Sequence, residues 1–274
     1  MAGIFFMDNS APIGVFDSGI GGLSVFRELT KVVPEESMIY VADSANAPYG
    51  TKSRRFITNR CRAISRFLVA QGCKLIVVAC NTATGASIST LRREFSIPFI
   101  GVEPAVKPAA IASKTGHVGI LATAQTFKGE HFRRSIGLYA KSVNLHEAAG
   151  TGLVELIENG MIDSPESRRL LSQYLMPMVD QGIDQLVLGC THYPFLIPVI
   201  REILPAGIQI IDPAPAVARQ TRKVLEQNNY LNSSGVKRQQ FYTSGSIEKF
   251  TKVLTKLAGG EWAVNQLVES VSSD

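Results

Sequence analysis

Two apolar runs in this chain end in the same way, and that repetition limits what the chain can be. The first is Leu75-Ile76-Val77-Val78-Ala79, followed by Cys80-Asn81-Thr82-Ala83. The second is Gln185-Leu186-Val187-Leu188-Gly189, followed by Cys190-Thr191-His192-Tyr193-Pro194. Apolar, partly β-branched runs without polar alternation read as strands buried on both faces. Helix-like segments follow, over about residues 86–95 and 195–203. Strand, small polar turn and helix in alternation predict an α/β fold with mostly parallel sheets flanked by helices.

Other segments fit the same rhythm. Ile13-Gly14-Val15-Phe16 reads as a strand that runs into Asp17-Ser18-Gly19-Ile20-Gly21-Gly22 and then a helix over residues 23–32. This is not a dinucleotide fingerprint. Asp17 stands where a phosphate would need bare backbone N–H groups, and its charge repels an anion. The glycines instead expose the turn, so that Asp17 and Ser18 project from a strand end into a crevice. Residues 37–41 form the next strand. The loop after it holds Pro48-Tyr49-Gly50, where Pro and Gly set a tight turn and Tyr49 offers a phenol. A helix over 53–71 carries Cys61, with Cys73 just beyond it, and both read as packing residues. Residues 98–102 make a fourth strand.

The Pro-rich stretch Glu103-Pro104-Ala105-Val106-Lys107-Pro108 breaks the rhythm and marks a crossing into a second domain. There the pattern predicts helices over 109–112, 126–138, 152–159 and 164–181, and strands over 117–123, 142–145 and 207–211. A helix over 215–228 leads back, followed by a strand over 239–243 and helices over 246–257 and 261–270. Two similar α/β domains result, residues 1–103 with 213–274 and residues 104–212. Each holds one strand-end cysteine, and the active site lies between them.

Composition removes several function classes. A chain that is 45% hydrophobic and 19% charged builds a packed core. Its four cysteines are too few for a disulfide scaffold, and they do not cluster with the four histidines at metal-ligand spacing. The opening ten residues lack the basic start of a signal peptide, and no apolar run approaches the roughly 20 residues needed to span a bilayer. The cytoplasm is the expected compartment. A net charge of +5 without a basic, aromatic-interleaved stripe gives no reason to expect nucleic acid or a membrane as partner.

Ligands of open parallel sheets bind outside the carboxyl ends of the strands. A thiol there, just before a helix, feels the positive end of the helix dipole, which favours thiolate. Two such thiols could form a redox disulfide, supply one covalent nucleophile, or carry protons on opposite sides of a carbon acid. In the last case one removes a proton from one face and the other returns a proton to the opposite face. Asp17 and His192 are available to set the thiols' proton affinities, and no cofactor-binding lysine motif or metal cluster is evident.

Taken together, Asp17-Ser18-Gly19-Ile20-Gly21-Gly22, Pro48-Tyr49-Gly50, Cys80-Asn81-Thr82-Ala83 and Gly189-Cys190-Thr191-His192-Tyr193-Pro194 resemble the motifs of the glutamate racemases, in the same order and at similar spacing, from about Ile13 to Thr221. The resemblance implies cofactor-independent interconversion of L- and D-glutamate for peptidoglycan. It implies Cys80 and Cys190 as the two acid/base residues, with Asp17 and His192 as assistants. Glu158 is similar to a further family carboxylate near the second cysteine, with Glu155 as its competitor. Asp17, Ser18, Tyr49, Gly50, Asn81, Thr82, Thr191 and His192 match substrate-contacting positions, and Pro48 and Thr123 are counted with them. A homodimer is implied as well. The rival readings are an aspartate racemase, a redox pair, or a non-catalytic binder such as an inhibitor of DNA gyrase.

Overall fold

The computed structural model of the protein describes residues 9–139 and 142–268, so the opening segment up to Asp8 lies outside it. In chain order the elements are β1 (Ile13–Asp17), α1 (Leu23–Val32), β2 (Met38–Ala42), α2 (Arg54–Ala70), β3 (Leu75–Val78), α3 (Asn81–Glu94) and β4 (Phe99–Gly101). Then come α4 (Val106–Ala112), β5 (His117–Ala122), α5 (Ala124–Lys128), α6 (Glu130–Tyr139), β6 (Asn144–Ala149), α7 (Leu153–Glu158), α8 (Pro165–Asp180) and β7 (Gln185–Gly189). The chain closes with α9 (Ile197–Ile203), β8 (Gln209–Ile211), α10 (Ala214–Gln227), β9 (Gln239–Thr243), α11 (Ile247–Ala258) and β10 (Val264–Gln266).

The strands form two sheets, ordered β10-β9-β2-β1-β3-β4 and β6-β5-β7-β8. Every pairing in both is parallel. Strands β1, β2, β3 and β7 are buried along their whole length, as sheets covered by helices on both faces require. Helix α1 buries Leu23, Val25, Phe26 and Leu29 on one stripe. Each such side chain contributes about 1.5–3 kcal/mol by leaving water. The ring of Phe26 meets those of Tyr40 and Phe241 at centroid distances of 5.9 and 5.2 Å, which joins α1 to β2 and β9. Gly14 is a close-packing position. A β-carbon there would lie 3.0 Å from Leu68 and 3.2 Å from the Cys73 sulfur. Cys61 and Cys73 are packing residues, and burial pushes both thiols up to about 12.

Four boundaries differ from the expectation. Helix α3 begins at Asn81, because Cys80 itself caps it by accepting the Ala83 N–H at 3.4 Å. The single helix expected over 126–138 is two, α5 and α6, separated at Gly129. The strand expected over 142–145 runs over Asn144–Ala149. The helix expected over 261–270 is wrong where described: Val264–Gln266 is strand β10, paired in parallel with β9. Its hydrogen bonds to β9 outweigh a helical pattern that Gly259 and Gly260, both at positive φ, have already interrupted. No helix among the described residues is long and apolar enough to cross a membrane.

One buried ion pair ties the base of the first sheet together. Lys74 Nζ lies 2.6 Å from Glu36 and also donates to the carbonyls of Asn9 (2.6 Å) and Tyr230 (2.7 Å). Glu36 in turn accepts the Asn232 N–H at 2.8 Å. Removing one partner of a buried pair strands the other charge. Glu36→Gln is therefore expected to lower unfolding free energy by about 3 kcal/mol, read as a fall in the urea midpoint with an unchanged slope.

Candidate functional site

The carboxyl ends of β1, β3 and β7 converge between the two sheets. There Ser18, Pro48, Tyr49, Gly50, Cys80, Asn81, Thr82, Thr123, Val154, Cys190 and His192 line a small, tight cavity. Cys80 enters from the first sheet and Cys190 from the second. Both are free thiols, each 6% exposed.

Asp17 and Thr191 do not line the cavity but stand behind it. The Asp17 carboxylate accepts the Gly19 N–H (2.9 Å), the Ser18 hydroxyl (3.3 Å) and the Thr191 hydroxyl (2.9 Å). Ser18 accepts from the Cys80 thiol at 3.7 Å. On the other side the Cys190 sulfur lies 3.7 Å from His192 Nδ1, and His192 Nε2 lies 2.6 Å from Glu158 Oε1. Glu158 Oε1 also accepts the Ile20 N–H at 2.8 Å. Glu158, not Glu155, is thus the carboxylate that reaches His192. Each thiol has its own assistant, in both cases tied to the turn after β1.

That turn explains the glycines of Asp17-Ser18-Gly19-Ile20-Gly21-Gly22. A β-carbon on Gly19 would sit 1.8 Å from Glu158 Oε1, and one on Gly21 would sit 2.2 Å from His192 Nδ1. One on Gly22 would meet Asp17 at 2.7 Å and the Tyr40 hydroxyl at 2.8 Å. The glycines leave room for Glu158, His192 and Asp17 to pack against backbone. Ser24, in α1, donates to the carbonyls of Gly21 and Thr191, both at 2.9 Å, and Tyr40 donates to the Gly19 carbonyl at 2.7 Å.

The electrostatics correct one expectation. Burial, and then the charge of Asp17, push Cys80 well above the ordinary thiol range, and the Ala83 N–H at the start of α3 does not offset them. The neutral thiol of Cys80 is therefore favoured. Burial also pushes Asp17 up, against the opposing effects of His192, Gly19 and Thr191. Burial alone would lower His192, but its hydrogen bonds to Cys190 and Glu158 prevail and raise it well above 6.5.

Tyr49 corrects another. Its hydroxyl is not offered to the cavity but donates to Asp43 Oδ2 at 2.5 Å. Opposite it, Thr82, Thr123 and Thr126 join their hydroxyls at 3.0, 3.2 and 2.9 Å, linking α3 to the end of β5 and to α5. Asn81 Oδ1 is buried and meets no hydrogen-bond partner among the described residues. Sequence reasoning missed Val154, Thr126 and Asp43. Val154 is one apolar residue among many and carried no signal. Asp43 did, because it follows β2 as Asp17 ends β1. Among the described residues no group of three or more His, Cys, Asp or Glu could hold a metal ion.

The family model for Asp/Glu/Hydantoin racemases matches residues 13–221. The chain belongs to that family. It is 46% identical over 263 residues to a glutamate racemase of Stutzerimonas stutzeri, covering 96% of this chain and 98% of that one. A glutamate racemase isoform from Bacillus anthracis superposes with a TM-score of 0.87 at 30% identity, covering 95% and 98% of the two chains. A Francisella tularensis glutamate racemase solved in complex with D-glutamate gives 0.85, also at 30% identity, over 97% of this chain and 100% of that one. Within the family the chain groups with the glutamate racemases, as an amino-acid isomerase.

Two outcomes follow from this geometry. Gly21→Ala should displace His192 from Cys190, lowering stability by about 1–3 kcal/mol and activity far more, as thermal melts and racemisation assays would record. The second concerns pH. A group raised on folding stabilises fully below its unfolded value, about 6.5 for His, and loses that contribution as pH rises through its folded value. Urea midpoints of the wild type should fall from about pH 6.5 upward, and His192→Asn should lack that component.

Proposed function

We propose that the protein interconverts L- and D-glutamate without a cofactor, with Cys80 and Cys190 as the two proton carriers. The observation that supports this best is that the two thiols enter one small cavity from different sheets, each beside its own titratable neighbour. In one direction the Cys190 thiolate takes the α-proton while the Cys80 thiol gives its proton to the opposite face of the carbon. In the other direction the roles exchange. Atoms and charge balance within the pair, leaving the two sulfurs with exchanged protonation states.

The α-proton of an amino acid is a very weak acid, so the site must stabilise negative charge and exclude water. Burial, with Asp17 adding to it, keeps the Cys80 sulfur protonated until it is needed and makes its thiolate a strong base. His192, raised by Glu158 and Cys190, sets a positive ring beside the second sulfur. The unpartnered Asn81 carbonyl suits the substrate ammonium, and the hydroxyls of Ser18, Thr82 and Thr123 suit its carboxylates. In this reading residues 1–103 with 213–274 form one domain, residues 104–212 the other, and substrate is enclosed between them. The resemblance to the glutamate racemases supports a role in supplying D-glutamate to peptidoglycan in the cytoplasm, where thiols stay reduced.

The test is incubation with D-glutamate in D₂O under reducing conditions with nothing else added. Optical rotation should decay as deuterium enters the α-position of the L-product. Cys80→Ser and Cys190→Ser should each reduce racemisation by about 10²–10⁴-fold. Full racemisation by either variant would sink the two-thiol assignment.

A further inference from the structure

We propose that Asp43, a residue outside the cavity, is a positioning residue for the reaction, acting through Tyr49. Asp43 follows β2 and is fully buried. Its carboxylate gathers donors from four side chains. Oδ2 accepts the Tyr49 hydroxyl at 2.5 Å and Arg60 Nε at 2.9 Å. Oδ1 accepts Arg60 Nη2 at 2.9 Å, Asn46 Nδ2 at 3.0 Å and the Ser244 hydroxyl at 2.7 Å. Its backbone N–H donates to the Asp17 carbonyl at 3.0 Å. Three parts of the chain meet on this carboxylate, the turns of residues 44–51, α2 and the loop after β9, and the end of β1 holds the backbone of the same residue.

Burial would push Asp43 up. Arg60, Tyr49 and Asn46 more than offset it and hold the carboxyl below the ordinary range, so it is ionised at any physiological pH. A charge-assisted bond from a phenol to a buried carboxylate is strong and directional. It turns the Tyr49 hydroxyl away from the substrate and leaves the ring and backbone of Pro48-Tyr49-Gly50 as the cavity wall. That wall has little room to move. A β-carbon on Gly50 would lie 3.2 Å from Thr123 Cβ, across the cavity mouth in the other half of the molecule. Asp43 therefore sets where the wall stands, while Asp17, held to Asp43 through the backbone, sets the neighbouring acid.

A wall that moves no proton holds substrate and transition state alike, so its displacement shows in KM more than in kcat. This inference rests on the racemase reading, and the experiment separates the two. Wild-type protein, Tyr49→Phe, Asp43→Asn and the double variant are assayed with D-glutamate, and each is also melted thermally. If the wild type does not racemise, the racemase reading fails before any variant matters. If it does, Tyr49→Phe, which keeps the ring and loses only the bond, should raise KM about tenfold with kcat within about threefold. Asp43→Asn should do at least as much, and the double variant should be no worse than Asp43→Asn. A KM unchanged in Tyr49→Phe, with or without a lower melting temperature, would make Asp43 a purely structural residue and overturn the inference. Should Asp43→Asn fail to fold, Tyr49→Phe alone decides.

Discussion

Missing β-carbons at Gly19 and Gly21 let the two halves of this molecule approach within hydrogen-bond reach. The turn after β1 is in contact with Glu158 at Gly19, with His192 at Gly21, and with Asp17 and Tyr40 at Gly22. A side chain at Gly19 or Gly21 would push the turn away from Glu158 and His192 of the second half, and one at Gly22 would crowd Asp17 and Tyr40 within the first. Three hydrogen bonds between the halves gather at this turn: Ile20 N–H to Glu158, the Thr191 hydroxyl to Asp17, and the Ser24 hydroxyl to the Thr191 carbonyl. All three begin or end at backbone or at buried side chains. The turn is thus where Asp17, Glu158 and His192 are held against backbone.

The two thiols sit in different electrostatic surroundings although their sequence flanks look alike. Burial raises Cys80, the nearby Asp17 carboxylate adds to it, and the Ala83 N–H and Ser18 do not offset the two, so its neutral form is favoured. Cys190 is next to an imidazole whose other nitrogen is held by a carboxylate. A pair of titratable groups in unlike surroundings is the arrangement by which one fold runs acid and base chemistry at a single pH. The N–H groups at the start of α3 act on Cys80, but full burial is the larger effect.

Much of this was legible in the sequence because the relevant signals are local. Uninterrupted apolar runs located β1, β2, β3 and β7, and small polar residues after them located the cavity. Cys80, Cys190, Ser18 and Asn81 could be named from their place at strand ends alone. What was not legible depended on contacts distant in sequence. Glu158 reaches His192 across 34 residues, and Asp43 meets Ser244 across 201, and no local pattern encodes either. The direction of the Tyr49 hydroxyl was misread for that reason. The segment after Gly260 was misread because a short edge strand takes its hydrogen bonds from a neighbour, here β9, and carries almost no periodicity of its own.

The strand order also bears on how the chain is made. Strand β2 is apolar and wholly buried, and its outer partner is β9, in the register Met38↔Gln239 to Ala42↔Thr243. All four strands of the second sheet lie between these two in sequence. During synthesis the second sheet has all its strands while β2 still presents an unpaired apolar edge to the cell. Such edges invite association with other chains. The vulnerable interval is the time needed to translate the residues from β2 to β9, and it closes only when nearly the whole chain has emerged.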